Sequence, residues 1–267
     1  MMSQINSELK SALGAYLLAL GDDELILGHR DSEWCSHAPI LEEDIAFANL
    51  ALDEIGHASL WYGLYAELAG EDPDTYPDRL AFFRRPEEYR SIQLVELPNG
   101  DWAFSMLRQF LFDAAEKIRL EALADSAYAP LAEAAAKVRR EEIYHYRHTQ
   151  AWMKRLGLGT SESRERLQNA LNALWPYTNQ LFAPAENEKV LATEGFIPDS
   201  EESAASWSDL VVPFLKDCGV AVPEKGTDRA DRLSGSERLD RRHHTPHLKT
   251  LLSEMQAVAR AEPQAAW

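Results

Sequence analysis

Two Glu-x-x-His motifs are the residues whose types and spacing best suit chemistry in this chain. Glu54 and His57 form the first motif, and Glu142 and His145 form the second. Side chains three positions apart lie on one face of a helix, so each motif presents a carboxylate beside an imidazole. Carboxylates and imidazoles are common protein ligands of iron and manganese. The motif alone is weak evidence, because chance gives about one such pair in a chain with this many Glu and His residues.

The placement of both motifs on apolar helical stripes makes the metal interpretation stronger. In steps of three and four, the neighbours of the two motifs are almost all apolar: Phe47, Leu50, Trp61, Leu64 and Leu68 for the first, and Leu131, Ala135, Val138, Thr149, Trp152 and Leu156 for the second. Both motifs should therefore point into a helical core. Because isolated buried carboxylates are very costly, a shared pair of divalent metal ions is a plausible compensation.

A di-metal carboxylate bundle needs one further acid from each of two other helices. Glu24 lies on an apolar stripe 30 residues before Glu54, and Asp113 lies on another, 29 residues before Glu142. These near-equal offsets are what two copies of one helix-pair unit would give. Glu116, one turn after Asp113, is the second choice. The predicted ligands of an iron or manganese pair are Glu24, Glu54, His57, Asp113, Glu142 and His145.

A purely structural interpretation of these residues remains open. A single buried acid or histidine is more often a hydrogen-bonded core group or an ion-pair partner than a metal ligand. Arg139, Arg140 and Arg147 could pair with the acids of the helix that carries Glu142. The coincidence of six positions in register favours a metal site over this alternative.

Helical periodicity along almost the whole chain predicts the elements that hold these residues. We expect an all-α, ferritin-like four-helix bundle over residues 1–158, with a helical C-terminal extension over 159–267 that packs on the bundle. Four prolines within 71–100 indicate a long crossover between the second and third helices. The predicted helices are 4–29, 41–69, 102–125 and 130–156 in the bundle, and 163–182, 187–194, 201–218 and 246–260 in the extension.

The composition excludes several classes of function. The formal net charge of −17 argues against nucleic-acid binding as the main activity. No apolar run approaches the roughly 20 residues of a membrane-spanning helix. The chain has two cysteines, Cys35 and Cys218, which form no C-x-x-C pair, and no apolar run near the N-terminus resembles a signal peptide. We therefore expect a cytoplasmic protein with reduced thiols.

A second group of histidines lies near the C-terminus, at His243, His244 and His247. The surrounding link is polar and offers no cysteine and few acids as further ligands. We therefore expect a solvated loop here and not a metal site.

Several segments resemble the C subunits of the multicomponent phenylacetyl-CoA epoxidases, which are ring 1,2-epoxidases. The resemblance covers nearly the whole chain and is carried by residues 33–39, 41–46, 95–100, 244–248 and 255–256. It implies a ferritin-like fold and a role in aerobic phenylacetate catabolism. It also implies partnership with a homologous catalytic A subunit, a small B subunit, and a flavin and iron–sulfur reductase that delivers electrons from NADPH.

The six predicted ligands depart from what this resemblance implies for a C subunit. Such subunits usually resemble scaffolds whose metal ligands have decayed, whereas the A subunit keeps the ligands and performs the chemistry. Here all six positions retain side chains able to bind metal, as in the A-type pattern. Three hypotheses follow: an oxygenase component with a di-iron centre, a metal-free scaffold for the A subunit, and, more weakly, an iron-handling ferritin-like protein. No motif indicates where an acyl-CoA would bind.

Overall fold

The computed structural model describes residues 5–223 and 240–265, and within these ranges the chain forms helices and no strand. The predicted all-α class is confirmed. None of the helices in the described part is long and apolar enough to cross a membrane. The α-helices are α1 Ser7–Ser32, α2 Leu41–Ala69, α3 Tyr76–Phe82, α4 Gln93–Glu96, α5 Trp102–Leu123, α6 Ala129–Leu158, α7 Ser161–Leu174, α8 Glu188–Thr193, α9 Ser200–Asp217, α10 Pro246–Met255 and α11 Ala257–Ala261.

The described residues group into two compact units. The first unit contains 5–98, 184–194 and 241–265, and the second contains 99–183, 195–223 and 240. Each unit is built on one pair of long helices, α1 with α2 and α5 with α6. These are the two long helix pairs expected of a ferritin-like fold. Both units draw on segments before and after residue 158, and the domain boundary expected there stays a prediction.

Close packing of α1 against α2 organises the first unit. Gly14, Gly21 and Gly28 are seven residues apart and therefore lie on one face of α1. A β-carbon added to Gly21 would lie 2.5 Å from the ring of Tyr62, and one added to Gly28 would lie 2.9 Å from the β-carbon of Glu54. These glycines let the two helices approach beside the predicted ligands. Helix α2 ends where the sequence predicts, at Gly70, in the left-handed conformation that glycine favours.

The crossover after α2 is partly helical. It contains α3, a 3₁₀ turn at Pro86–Glu88 and the short helix α4. Residues 92–95, where apolar and polar residues alternate, lie at the start of α4 and not in a strand. These short elements lie within the first unit, together with α8, α10 and α11.

The second unit packs α7 and α9 against α5 of its long helix pair. Asp101 caps α5 by accepting a hydrogen bond from the backbone N–H of Phe104. The buried indole of Trp207 on α9 donates to the carbonyl of Leu111 on α5, at 3.1 Å. The long helices of this unit therefore receive an additional layer of helices on the side of α5.

Candidate metal site

In the first unit, three of the predicted ligands converge in the interior of the α1–α2 pair. Glu24 comes from α1, and Glu54 and His57 come from one face of α2. All three residues are buried, with no more than 3 % exposure. One ligand atom from each lies within 4.8 Å of the others. This arrangement confirms that the apolar stripes carry these polar groups into the core.

The distances between these three side chains suit metal ligation. His57 Nδ1 lies 3.7 Å from Glu24 Oε2 and 3.8 Å from Glu54 Oε2. Both distances exceed the usual length of a hydrogen bond. Two ligand atoms that each lie about 2.1 Å from one divalent ion are separated by about 3 to 4 Å. Two carboxylates and an imidazole at this spacing could therefore hold a metal ion.

In the second unit, the corresponding ligands are also buried but make hydrogen bonds with their own neighbours. His145 Nδ1 lies 2.9 Å from Glu142 Oε1 on the same helix. Asp113 Oδ1 accepts from Gln109 Nε2 at 2.8 Å, and Asp113 Oδ2 accepts from the hydroxyl of Thr149 at 2.7 Å. These contacts hold the acids of α5 and α6 in fixed orientations.

The second-choice ligand, Glu116, takes part in an ion pair. Its carboxylate contacts the guanidinium of Arg119, one turn further along α5, and both side chains are buried. Arg119 also donates to the carbonyl of Leu181 at 2.7 Å. Glu116 therefore fits the role of an ion-pair acid, and the preference for Asp113 as a ligand stays a prediction. Arg139, proposed as a partner for the acids of α6, lies 3.4 Å from Glu121 of α5 instead.

Two further buried acids, Asp22 and Asp23, directly precede Glu24 and were not predicted from the sequence. Asp22 accepts from the hydroxyl of Tyr62 and pairs with Arg84. Burial and the charge of Asp22 raise the pKa of Tyr62 well above its usual value. Burial alone would lower the pKa of Arg84, but the carboxylate of Asp22 raises it. The run of three acids was the available signal, because three consecutive buried carboxylates require strong compensation.

The expectation of a solvated histidine patch is wrong for His244. Its Nδ1 lies 2.6 Å from the buried carboxylate of Glu96, and its Nε2 lies 3.1 Å from the carbonyl of Tyr89. The backbone N–H of Thr245 donates to the other oxygen of Glu96. His244 thus anchors the segment before α10 to the crossover, whereas His243 and His247 are exposed.

Comparison with known proteins identifies the family of this chain. The family model described as "Phenylacetic acid catabolic protein" matches residues 2–267. The chain belongs to the phenylacetic acid catabolic protein family. It is 38 % identical over 255 residues to the C subunit of the 1,2-phenylacetyl-CoA epoxidase of Escherichia coli (strain K12), covering 96 % of this chain and 99 % of that relative. It is also 25 % identical over 199 residues to the A subunit of the same bacterium's enzyme, covering 73 % of this chain and 63 % of that relative.

The same chain thus aligns with both a C subunit and an A subunit of this enzyme.

Proposed function

We propose that this chain is one component of a multicomponent phenylacetyl-CoA 1,2-epoxidase and that it retains a di-iron site. The observation that carries the proposal is the buried set of Glu24, Glu54 and His57 at metal-ligand spacing. The similarity to a C subunit over almost its full length supports the assignment to such a complex. A role in aerobic phenylacetate catabolism follows from this assignment.

The proposed ligand set contains all six predicted residues, Glu24, Glu54, His57, Asp113, Glu142 and His145. Four carboxylates and two imidazoles suit a pair of iron ions. When bound, the iron pair would supply the redox chemistry for adding one atom of O2 to the aromatic ring. The contribution of the chain itself is to orient the ligands and exclude water from them.

The proposed partners are those of a multicomponent oxygenase. They are a homologous catalytic A subunit, a small B subunit, a flavin and iron–sulfur reductase, and phenylacetyl-CoA as the substrate of the complex. The names of the two relatives support a complex that contains an A and a C subunit. The resemblance of the sequence to the epoxidase family supports the B subunit, the reductase and the substrate. We further propose that the hetero-oligomer works in the cytoplasm.

Metal analysis tests the di-iron proposal. The parent chain, Glu54→Gln and the control Glu96→Gln would be purified anaerobically with ferrous iron, and iron would be measured per chain. Glu96 is a buried acid outside the predicted ligand set, so its replacement removes a comparable charge. We expect iron in the parent and in Glu96→Gln, and a large loss in Glu54→Gln. A metal-free parent with normal helicity would refute the proposal.

Turnover of the assembled complex separates this proposal from a metal-free scaffold. Glu54→Ala and His57→Ala would be combined with the partner proteins, and assembly and epoxidation would be measured separately. We expect a large loss of epoxidation with assembly preserved. Unchanged epoxidation would show that this chain serves as a scaffold for its catalytic homologue.

A further inference from the structure

Asp22, Asp23 and Glu24 form a run of three buried carboxylates on α1. Successive residues of a helix point about 100° apart, so the three side chains face different surroundings. Glu24 faces Glu54 and His57 of α2. The two aspartates face other parts of the first unit, and each receives several donors there.

Asp22 links α1 to α2 and to the middle of the crossover. The hydroxyl of Tyr62 on α2 donates to Asp22 Oδ1 at 2.5 Å. The guanidinium of Arg84 pairs with the same carboxylate, with Nη1 3.1 Å from Oδ2. The backbone N–H of Arg90 donates to Oδ2 at 2.6 Å. Arg84 is itself fixed by its position over the ring of Tyr89, 4.2 Å from the ring centre.

Asp23 links α1 to the crossover and to the segment that precedes α10. The backbone N–H of Ile92 donates to Asp23 Oδ1 at 2.8 Å. Arg241 Nη1 donates to Asp23 Oδ2 at 2.8 Å and to the carbonyl of Arg90 at 2.9 Å. Each aspartate thus has an arginine as its counter-charge and a backbone N–H as a second donor. Such charge-assisted hydrogen bonds are among the strongest and most directional in proteins.

We propose that Asp22 and Asp23 are positioning residues. They fix the rotation of α1 about its axis and its position along that axis, so that Glu24 faces Glu54 and His57. The bonds to Asp22 and Asp23 diverge from α1 toward Tyr62, Ile92 and Arg241, which lie in different segments of the chain. Because these bonds diverge, a rotation of α1 would break at least one of them. The role of positioning a metal ligand rests on the proposed metal function. The geometry rests on the hydrogen bonds to the two aspartates alone.

The test compares Asp22→Asn and Asp23→Asn with Glu96→Gln as the matched control. Glu96 is a buried acid bonded to the same C-terminal segment through His244, but it does not lie on α1. The first measurement is titration with Co²⁺, recording affinity and the visible absorption spectrum, which reports ligand geometry. We expect a loss of about tenfold or more in affinity and an altered spectrum for the two aspartate variants. Glu96→Gln should bind like the parent, even if it is less stable.

A second measurement decides the inference independently of metal binding. Crystal structures of the metal-free variants give the distance between Glu24 Oε2 and His57 Nδ1, which is 3.7 Å in the parent. We expect a change of about 1 Å or more in the aspartate variants and none in Glu96→Gln. An unchanged distance would overturn the positioning role. A parent that binds no metal would refute the proposed function, and this distance would still test the positioning.

Tyr62→Phe covers the case in which an aspartate variant does not fold. It removes one hydrogen bond to Asp22 but keeps the ring that packs against Gly21. We expect a smaller shift of Glu24 and a loss of Co²⁺ affinity of a few fold. Parent-like affinity together with an unchanged position of Glu24 would overturn the inference.

Discussion

The two helix pairs carry the same motif, but their side chains are arranged differently. In the α1–α2 pair, His57 lies 3.7 and 3.8 Å from the carboxylate oxygens of Glu24 and Glu54. In the α5–α6 pair, His145 lies at hydrogen-bonding distance, 2.9 Å, from Glu142. A Glu-x-x-His sequence can thus hold its two groups at a metal-ligand spacing or join them directly. The apolar residues at helical spacing around the motif determine that both groups are buried, and the neighbouring contacts determine their separation.

The residues that contact the buried acids also differ between the two helix pairs. Beside Glu24, the acids at 22 and 23 are neutralised by arginines from distant parts of the chain. On α5, the carboxylate of Asp113 is held by two neutral donors, Gln109 and Thr149. A metal ion at the second pair would have to compete with these hydrogen bonds, each with a net value of about 1 kcal/mol. Because Glu24, Glu54 and His57 lie at metal-ligand spacing, we expect the α1–α2 pair to contribute more to metal affinity.

The largest expected effect is the loss of an imidazole from the first pair. His57→Ala should lower iron or Co²⁺ affinity by roughly 100-fold, and His145→Ala by roughly tenfold, because only His57 lies at metal-ligand spacing from the carboxylates of its own helix pair. Titration of the metal-free chain measures both. The control is His29→Ala, which removes a histidine of α1 outside the predicted ligand set. Equal losses of metal affinity in His57→Ala and His145→Ala would show that the two helix pairs contribute equally to metal binding.

A smaller effect is expected when α1 and α2 are forced apart. In Gly28→Ala, the added β-carbon would meet Glu54 at 2.9 Å, so overpacking should cost about 1 to 3 kcal/mol of stability. Metal affinity should fall as well, since the ligand helices shift. Gly56→Ala is the matched control on α2, because its added β-carbon meets nothing within 4 Å beyond the adjacent residues and the nearby backbone of its own helix. It should stabilise the chain by up to about 1 kcal/mol through helix propensity.

Urea unfolding measures the stability of the two glycine variants, and Co²⁺ titration measures their metal affinity. If Gly28→Ala were as stable as the parent and bound metal equally well, close packing of the first pair would not matter for the site.

Removal of a single hydroxyl should change the second pair modestly. Thr149→Val deletes the hydrogen bond to Asp113 Oδ2 and should lower the stability of the metal-free chain by about 1 kcal/mol. Metal affinity should rise by a few fold, because one oxygen of Asp113 is released. Thr178→Val is the control, since its hydroxyl donates only to the nearby carbonyl of Trp175. A fall in affinity for Thr149→Val would mean that the hydroxyl assists metal binding.

The last expected effect is a change in stability that is confined to high pH and originates in the second unit. Burial raises the pKa of Tyr146 to about 12. In the unfolded chain the phenol ionises near its usual value, about pH 10. As the pH rises, the unfolded state therefore loses this proton at a lower pH than the folded state. The contribution of the protonated phenol of Tyr146 to stability is lost as the pH rises from about 10 to 12.

Tyr146→Phe should make the loss of stability over this pH range shallower, as measured by urea unfolding at several pH values. Tyr144→Phe, at an exposed position of the same helix, is the control for the substitution itself. If the stability of Tyr146→Phe fell with pH as steeply as that of the parent, Tyr146 would not be the cause of the loss.

The long helices and the burial of the site could be predicted because both depend on local signals. Helix α2 begins at Leu41 and ends before Gly70 as predicted, since periodicity and a glycine stop mark those positions. Glu54 and His57 are buried because apolar residues surround them at helical spacing. Such features require knowledge of only one helix at a time.

The supporting contacts could not be predicted, because they join residues far apart in the sequence. Asp23 meets Arg241 across more than 200 residues, and His244 meets Glu96 across 148. Even the shorter link between Thr149 and Asp113 depends on how α5 and α6 are aligned. A sequence pattern shows that a buried acid needs a partner, and only the packed structure shows which partner it has.

Anomalous X-ray diffraction at the iron absorption edge tests the central claim most directly. Crystals of the chain reconstituted anaerobically with ferrous iron would be measured above and below the edge. We predict an iron peak about 2.1 Å from ligand atoms of Glu24, Glu54 and His57. No iron peak at these residues under saturating iron, with the side chains in the positions described above, would contradict the claim that they form a metal site.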